Sequence, residues 1–194
     1  MALSRINASM VGTNGTISNA EYEYLNGTTS AIQTQIDGAG GGKVLQVVST
    51  TKTDTFTTSS NTFTDVTGLA QAITCSATSS KVLVMSSIMM GCSGASERVH
   101  GRLMRDSTAI HVGGSSGSKT PATVHWHDSL YTNVSMQHVS YLDSPSSTSS
   151  LNYHWEVTAQ PTSGFVSINR DGIWNNSYHY GCFASTITCI EIGA

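Results

Sequence analysis

The tightest constraint on this chain is its rhythm. Short runs rich in Val, Ile, Thr and Met recur along it, and each is closed by Gly, Ser, Asn, Asp or Pro. Such runs suit strands, because they alternate or are β-branched and are too short to pack as helices. Val44 to Thr50, Thr53 to Thr58, Asn61 to Thr67 and Leu69 to Cys75 read as strands, with Ser59-Ser60 as a turn. Lys81 to Gly91 is the longest apolar run, carrying Val82, Leu83, Val84, Met85, Ile88, Met89 and Met90. It reads as a central strand buried on both faces. A buried helix is the rival, and the β-branched flanks argue against it.

Arg98 to Arg105 alternates, Asp106-Ser107 turns, and Thr108 to Val112 returns, which predicts a hairpin. Gly113 to Pro121 is a Gly/Ser loop. Thr123 to Asp128, Val134 to Leu142, Leu151 to Ala159, Gly164 to Asn169 and Phe183 to Ile192 complete the set. Asp143-Ser144-Pro145 and Gln160-Pro161 are turn signals. Turn signals at roughly 8–14-residue spacing with almost no helix point to a sandwich or jelly roll. A long β-helix would need a short repeat, and none is visible.

Charged residues make up only 11% of the 194, against an average near 25%. Ser and Thr, roughly a quarter of the chain, take their place as the polar complement. A net charge of −3 creates no basic field, so nucleic-acid binding is disfavoured. No apolar run approaches the length of a membrane-spanning helix. Met1 to Gly12 lacks the apolar stretch of a signal peptide, so folding in a cytoplasm is expected. Cys75, Cys92, Cys182 and Cys189 form no CxxC pair, and they read as small apolar residues rather than zinc ligands.

Gly38-Ala39-Gly40-Gly41-Gly42 is a flexible break. It divides an N-terminal arm, residues 1–37, from a body, residues 43–194. In the arm, Ser18-Asn19-Ala20-Glu21 fits a capping box before Tyr22 and Leu25, and Asn26-Gly27 ends that turn of helix. Thr28 to Ile36 reads as a second short helix, with Ile32 and Ile36 on one face. Two helices this short need a partner surface, since nucleation is costly. Leu25 and Ile32 lie a heptad apart, which suits sister arms; another protein's surface is the alternative.

Residues 18–37, SNAEYEYLNGTTSAIQTQID, closely resemble a segment common in tail-fibre and other virion proteins of bacteriophages. The match includes Glu21, Leu25, Gly27, Thr28, Ile32, Gln33 and Gln35. The body is similar to C-terminal domains common in marine phage genomes. Its carrying residues are KVLQVVS (43–49), FxDVTGL (63–69), SSKVLVM (79–85), LMRDSTAI (103–110), YLDSP (141–145) and ASTITxIEIGA (184–194). The resemblance implies an antiparallel jelly roll of the C1q and tumour-necrosis-factor type, assembled as a homotrimer. It also implies a virion structural protein docked on another virion protein through the arm. One copy of the 18–37 segment and a short anchor favour a short tail fibre or spike over a long fibre.

Two groups stand out as candidate sites. His125-Trp126-His127 puts two imidazoles on one strand face. Around a three-fold axis, three such pairs could hold an octahedral transition metal, as some phage fibre tips do; solvated or stacked histidines are the plainer reading. His100, Arg102, His138 and His154 also lie on strands and read as surface or interface residues. The loop carrying Trp174, Tyr178, His179 and Tyr180 offers aromatic faces for sugar rings, and the ligand class would be host lipopolysaccharide or another surface glycan. The plainer alternative is packing of Trp174 and Tyr178 against a neighbouring subunit. No carboxylate pair, GxSxG or phosphate-cradling motif occurs, so no enzyme and no cofactor beyond that metal is expected. The expected protein contacts a host surface. A capsid or tail decoration without a host ligand, or a C1q-like glycan-binding module, is the alternative.

Overall fold

The computed structural model describes residues 43–93, 97–128, 133–160, 164–173 and 181–193, with Thr34 before them. The chain divides into two units, Met1–Gly41 and Gly42–Ala194, and the second is described here. Apart from Thr34, the two helices expected in the arm, with Leu25, Ile32 and Ile36, lie outside the described residues. The body is mainly β and built from antiparallel sheets. Among the described residues no helix is long and apolar enough to cross a membrane.

Among the described residues eleven strands form: β1 (Val44–Lys52), β2 (Phe56–Thr58), β3 (Thr64–Thr74), β4 (Lys81–Cys92), β5 (Glu97–Arg105), β6 (Thr108–Ile110), β7 (Val124–Asp128), β8 (Val134–Asp143), β9 (Ser150–Gln160), β10 (Val166–Ile168) and β11 (Ser185–Ile192). One sheet runs β1-β11-β4-β10-β2, with β8 also paired to β4. The other runs β3-β9-β5-β6, with β7 also paired to β5.

The register simplifies this list. β8 lies along β4 from Val82 to Gly91. On the opposite edge β11 covers Lys81–Ser87 and β10 covers Met90–Cys92. β10 and β11 are therefore two halves of one interrupted strand, and β1 and β2 flank them in the same way. In the second sheet β7 and β6 share one edge of β5 and are again halves of one strand.

Three of the departures from the sequence expectation fall at residues with left-handed backbone. Asn61–Thr67 and Leu69–Cys75 merge into one strand, β3, because Gly68 (φ 81°) makes an irregularity between Asp65 and Ala70 rather than a turn. The return strand after Asp106 ends at Ile110, where His111 takes φ 52°. β10 ends at Ile168, where Asn169 takes φ 62°. Left-handed backbone at these residues turns the chain out of the ladder.

The core lies between the sheets. Val82, Val84, Ile88 and Met90 of β4 meet Leu103, Trp155 and Val157 of the facing sheet, all fully buried. β4 is central, as expected, but is buried on one face only. Its alternate residues point outward, and Met85 is 47% exposed. Cys75, Cys92 and Cys189 are buried and Cys182 is exposed, with no disulfide among them. Burial, with Cys75 adding to it, pushes the Cys189 thiol up to about 12, which leaves it inert as a nucleophile.

Polar links cross the core. The Trp155 indole N–H donates to Ser86 Oγ at 2.9 Å, and Ser86 Oγ donates to the Thr186 carbonyl at 2.6 Å. Asp143 on β8 is 4% exposed and accepts two hydrogen bonds from Arg105 on β5, at 2.9 and 2.7 Å. Tyr153 on β9 donates to the same carboxylate at 2.7 Å. Burial and the adjoining Asp143 push the Tyr153 phenol far above its ordinary range, so it stays a donor. Near the other end of β11, Glu191 accepts from Gln46 Nε2 at 2.6 Å and from the Ser76 N–H and hydroxyl at 2.7 Å each. Burial alone would raise this carboxyl, but the hydrogen bonds from Gln46 and Ser76 outweigh it and hold the group at about 2.

Two outcomes follow. Asp143→Ala leaves Arg105 without its counter-charge and costs about 3–5 kcal/mol, read as a lowered urea midpoint at unchanged slope. Glu191 has a folded-state pKa below its ordinary 4.5, so its contribution is complete above that value and is lost as pH falls toward about 2. Denaturation curves for Glu191→Gln therefore show a shallower acid decline across that interval than those of the unaltered chain.

Candidate functional site

The outer face of the second sheet carries four of the chain's seven histidines, His100, His125, His127 and His154. Val99, Gly101 and Leu103 of β5 face the core. Strand alternation therefore turns Arg98, His100, Arg102 and Met104 outward. Opposite them on β9 stand Gln160, Thr158, Glu156 and His154. On the other side β7 brings His125 across from His100 and His127 across from Arg98. Trp126, between the two histidines, packs against the core.

Two clusters result. In the first, the Arg102 guanidinium hydrogen-bonds one Glu156 oxygen and lies 4.1 Å over the Phe63 ring. His154 Nε2 sits 3.2 Å from the Asp65 carboxylate. Asp65, His154 and Glu156 each offer a ligand atom within 4.8 Å of the others. Arg102 already engages Glu156, so a cation would have to displace its guanidinium.

In the second cluster, His100 Nδ1 and His125 Nδ1 lie 3.3 Å apart, with ring centroids at 4.8 Å and planes tilted by 39°. Burial lowers the pKa of His100, and His125 and Arg98 lower it further. Burial likewise lowers that of His125, with His127 and Arg98 adding to it. The spacing that singled out His125 and His127 does put both on one face, and both are exposed. The partner that His125 meets is His100, from a different strand. His100 is visible in the sequence as a strand residue, but the β5–β7 register that opposes it to His125 spans a loop and carries no local signal.

The loop between β10 and β11 is the other candidate. Trp174, Tyr178, His179 and Tyr180 lie outside the described residues, but the loop's roots are described. Asn169 is fully buried where β10 ends. Its amide donates to the Lys52 and Asp54 carbonyls at 2.9 and 3.0 Å, and its side-chain oxygen accepts from Ser185 Oγ at 2.6 Å. Its backbone N–H donates to Met89 O, and its carbonyl accepts from the Phe183 N–H. One residue thereby fills the gap between the strand halves and clamps both ends of the excursion. Asp171 Oδ1 accepts from the Ile173 N–H at 2.9 Å and shapes the outgoing limb.

The outer face of the first sheet is different in kind. Its outward positions include Val47, Leu83, Met85, Leu142, Ile190 and Ile192. Val44, Leu45, Val47, Met85 and Leu142 are all more than two-fifths exposed. A shallow depression on it is lined by Met85, Ser87, His138, Ser140, Thr186 and Thr188. No protein-family model and no curated protein matches the chain.

Proposed function

We propose that the chain is a non-enzymatic structural protein of a bacteriophage virion. It is a trimeric short tail fibre or spike whose jelly-roll body projects from the particle and contacts the host surface. The observation that carries self-association is the outer face of the first sheet. Val44, Leu45, Val47, Met85 and Leu142 are large apolar side chains that the described residues leave exposed. Contiguous patches of this kind on soluble chains mark interaction surfaces. The apolar run of β4 carries large side chains on both faces, and among the described residues only one of these faces is covered.

The jelly roll is supported by the pairing order. Joining the interrupted strands leaves β1/β2, β10/β11, β4 and β8 in one sheet and β3, β9, β5 and β6/β7 in the other. That is the order obtained by wrapping an antiparallel hairpin into a double-layered roll. The virion role rests on the resemblance of residues 18–37 and of the body to phage proteins. The arm then docks on another virion protein, and Trp174, Tyr178, His179 and Tyr180 meet a host glycan or lipopolysaccharide. Three weak sites on one rigid trimer gain affinity by avidity.

Light scattering on the purified chain is expected to give a mass three times its 20.5 kDa. Leu142→Asp, on an outward position, reduces that mass to the monomer while the far-ultraviolet spectrum keeps its β signature. A monomeric unaltered chain would sink the spike reading. Trp174→Ala combined with Tyr178→Ala abolishes adsorption of assembled particles to cells. Unchanged adsorption by intact particles would instead leave a decoration protein without a host ligand.

A further inference from the structure

We propose that His100 and His125 form a cross-strand chelate for one divalent zinc-class ion per chain. The inference stands on geometry within one chain and does not depend on the virion reading. Zinc binds imidazole nitrogen at about 2.0–2.1 Å, so two nitrogens at a tetrahedral angle stand about 3.3–3.4 Å apart. The two Nδ1 atoms stand 3.3 Å apart. A square or octahedral ion with neighbouring nitrogens would require a closer pair. Both rings project from adjacent, directly paired strands, so the backbone ladder holds the two donors without a loop rearrangement.

Among the described residues, neither ring has another hydrogen-bond partner, which leaves both nitrogens to the ion. His127 lies two residues beyond His125 on the same face and within electrostatic reach of it. Water completes the coordination sphere. Arg98 opposes it, a neighbouring cation that weakens the site without blocking the nitrogens. β7 gains from the ion, because among the described strands it pairs only with β5. A bridge between its second residue and the middle of β5 staples it in register, and an ion that binds only the folded chain stabilises it by mass action.

This arrangement differs from an axial site built by His125 and His127 of three chains in stoichiometry, ligands and geometry. Calorimetric titration of the full chain with zinc chloride is expected to give one ion per chain. Binding is lost in His100→Asn and in His125→Asn and kept in His127→Asn and His154→Asn. Each variant is first matched to the unaltered chain by its metal-free melting curve, and Gln replaces Asn in any that melts early. Cobalt(II) provides a second readout, because tetrahedral coordination absorbs strongly in the visible and octahedral coordination weakly. An intense band in the unaltered chain, absent from His100→Asn, is expected. The proposal is overturned by any of four results: no zinc binding, one ion per three chains with loss in His127→Asn but not His100→Asn, loss in His154→Asn, or a weak cobalt band.

Discussion

The fold depends on how its interrupted strands keep their ladders satisfied. A strand that leaves its sheet for a loop exposes the backbone groups of its neighbours, and buried groups of this kind are costly unless paired. Asn169 meets that requirement between β10 and β11 by reaching Lys52, Asp54, Met89, Phe183 and Ser185 at once. Thr123 does the equivalent work between β6 and β7. Its N–H donates to Gly101 O, and its hydroxyl accepts from the Leu103 N–H and donates to Ile110 O. With these two residues in place, each loop can leave a sheet without opening it.

The two layers are then held in register by polar links inside an otherwise apolar core. Trp155 reaches Ser86 from the facing sheet, and Asp143 draws Arg105 and Tyr153 to it. Such groups are directional where hydrophobic packing is not, and each would be a liability if its partner moved. They set which strand of one sheet lies over which strand of the other.

The outer faces divide the surface chemistry. One sheet presents Val47, Met85 and Leu142 among Ser and Thr, a face suited to covering by other protein. The other presents Arg98, Arg102, Glu156 and His100, His125, His127 and His154, a face suited to water, ions or polar ligands. A single sandwich thus keeps an apolar side and a titratable side apart.

The sequence by itself determined that the body is β. Alternation in Phe183–Ile192 and Arg98–Arg105, and the apolar run of Lys81–Gly91, are local patterns set by a two-residue period, and they reappear as β11, β5 and β4. It also marked the excursions, since Gly and Ser at 113–121 and Asn and Gly after Asp171 cannot sustain a strand. Gly68 was misread as a break because a bulge and a turn use the same residue type. Only the tertiary structure decided which strands are halves of one, that β4 is covered on one face alone, and that His125 meets His100 rather than acting only with His127. The physical reason is that strand pairing joins residues far apart in sequence. A one-residue slip would exchange the faces of every side chain, and register is fixed only when both sheets bury their apolar sides together.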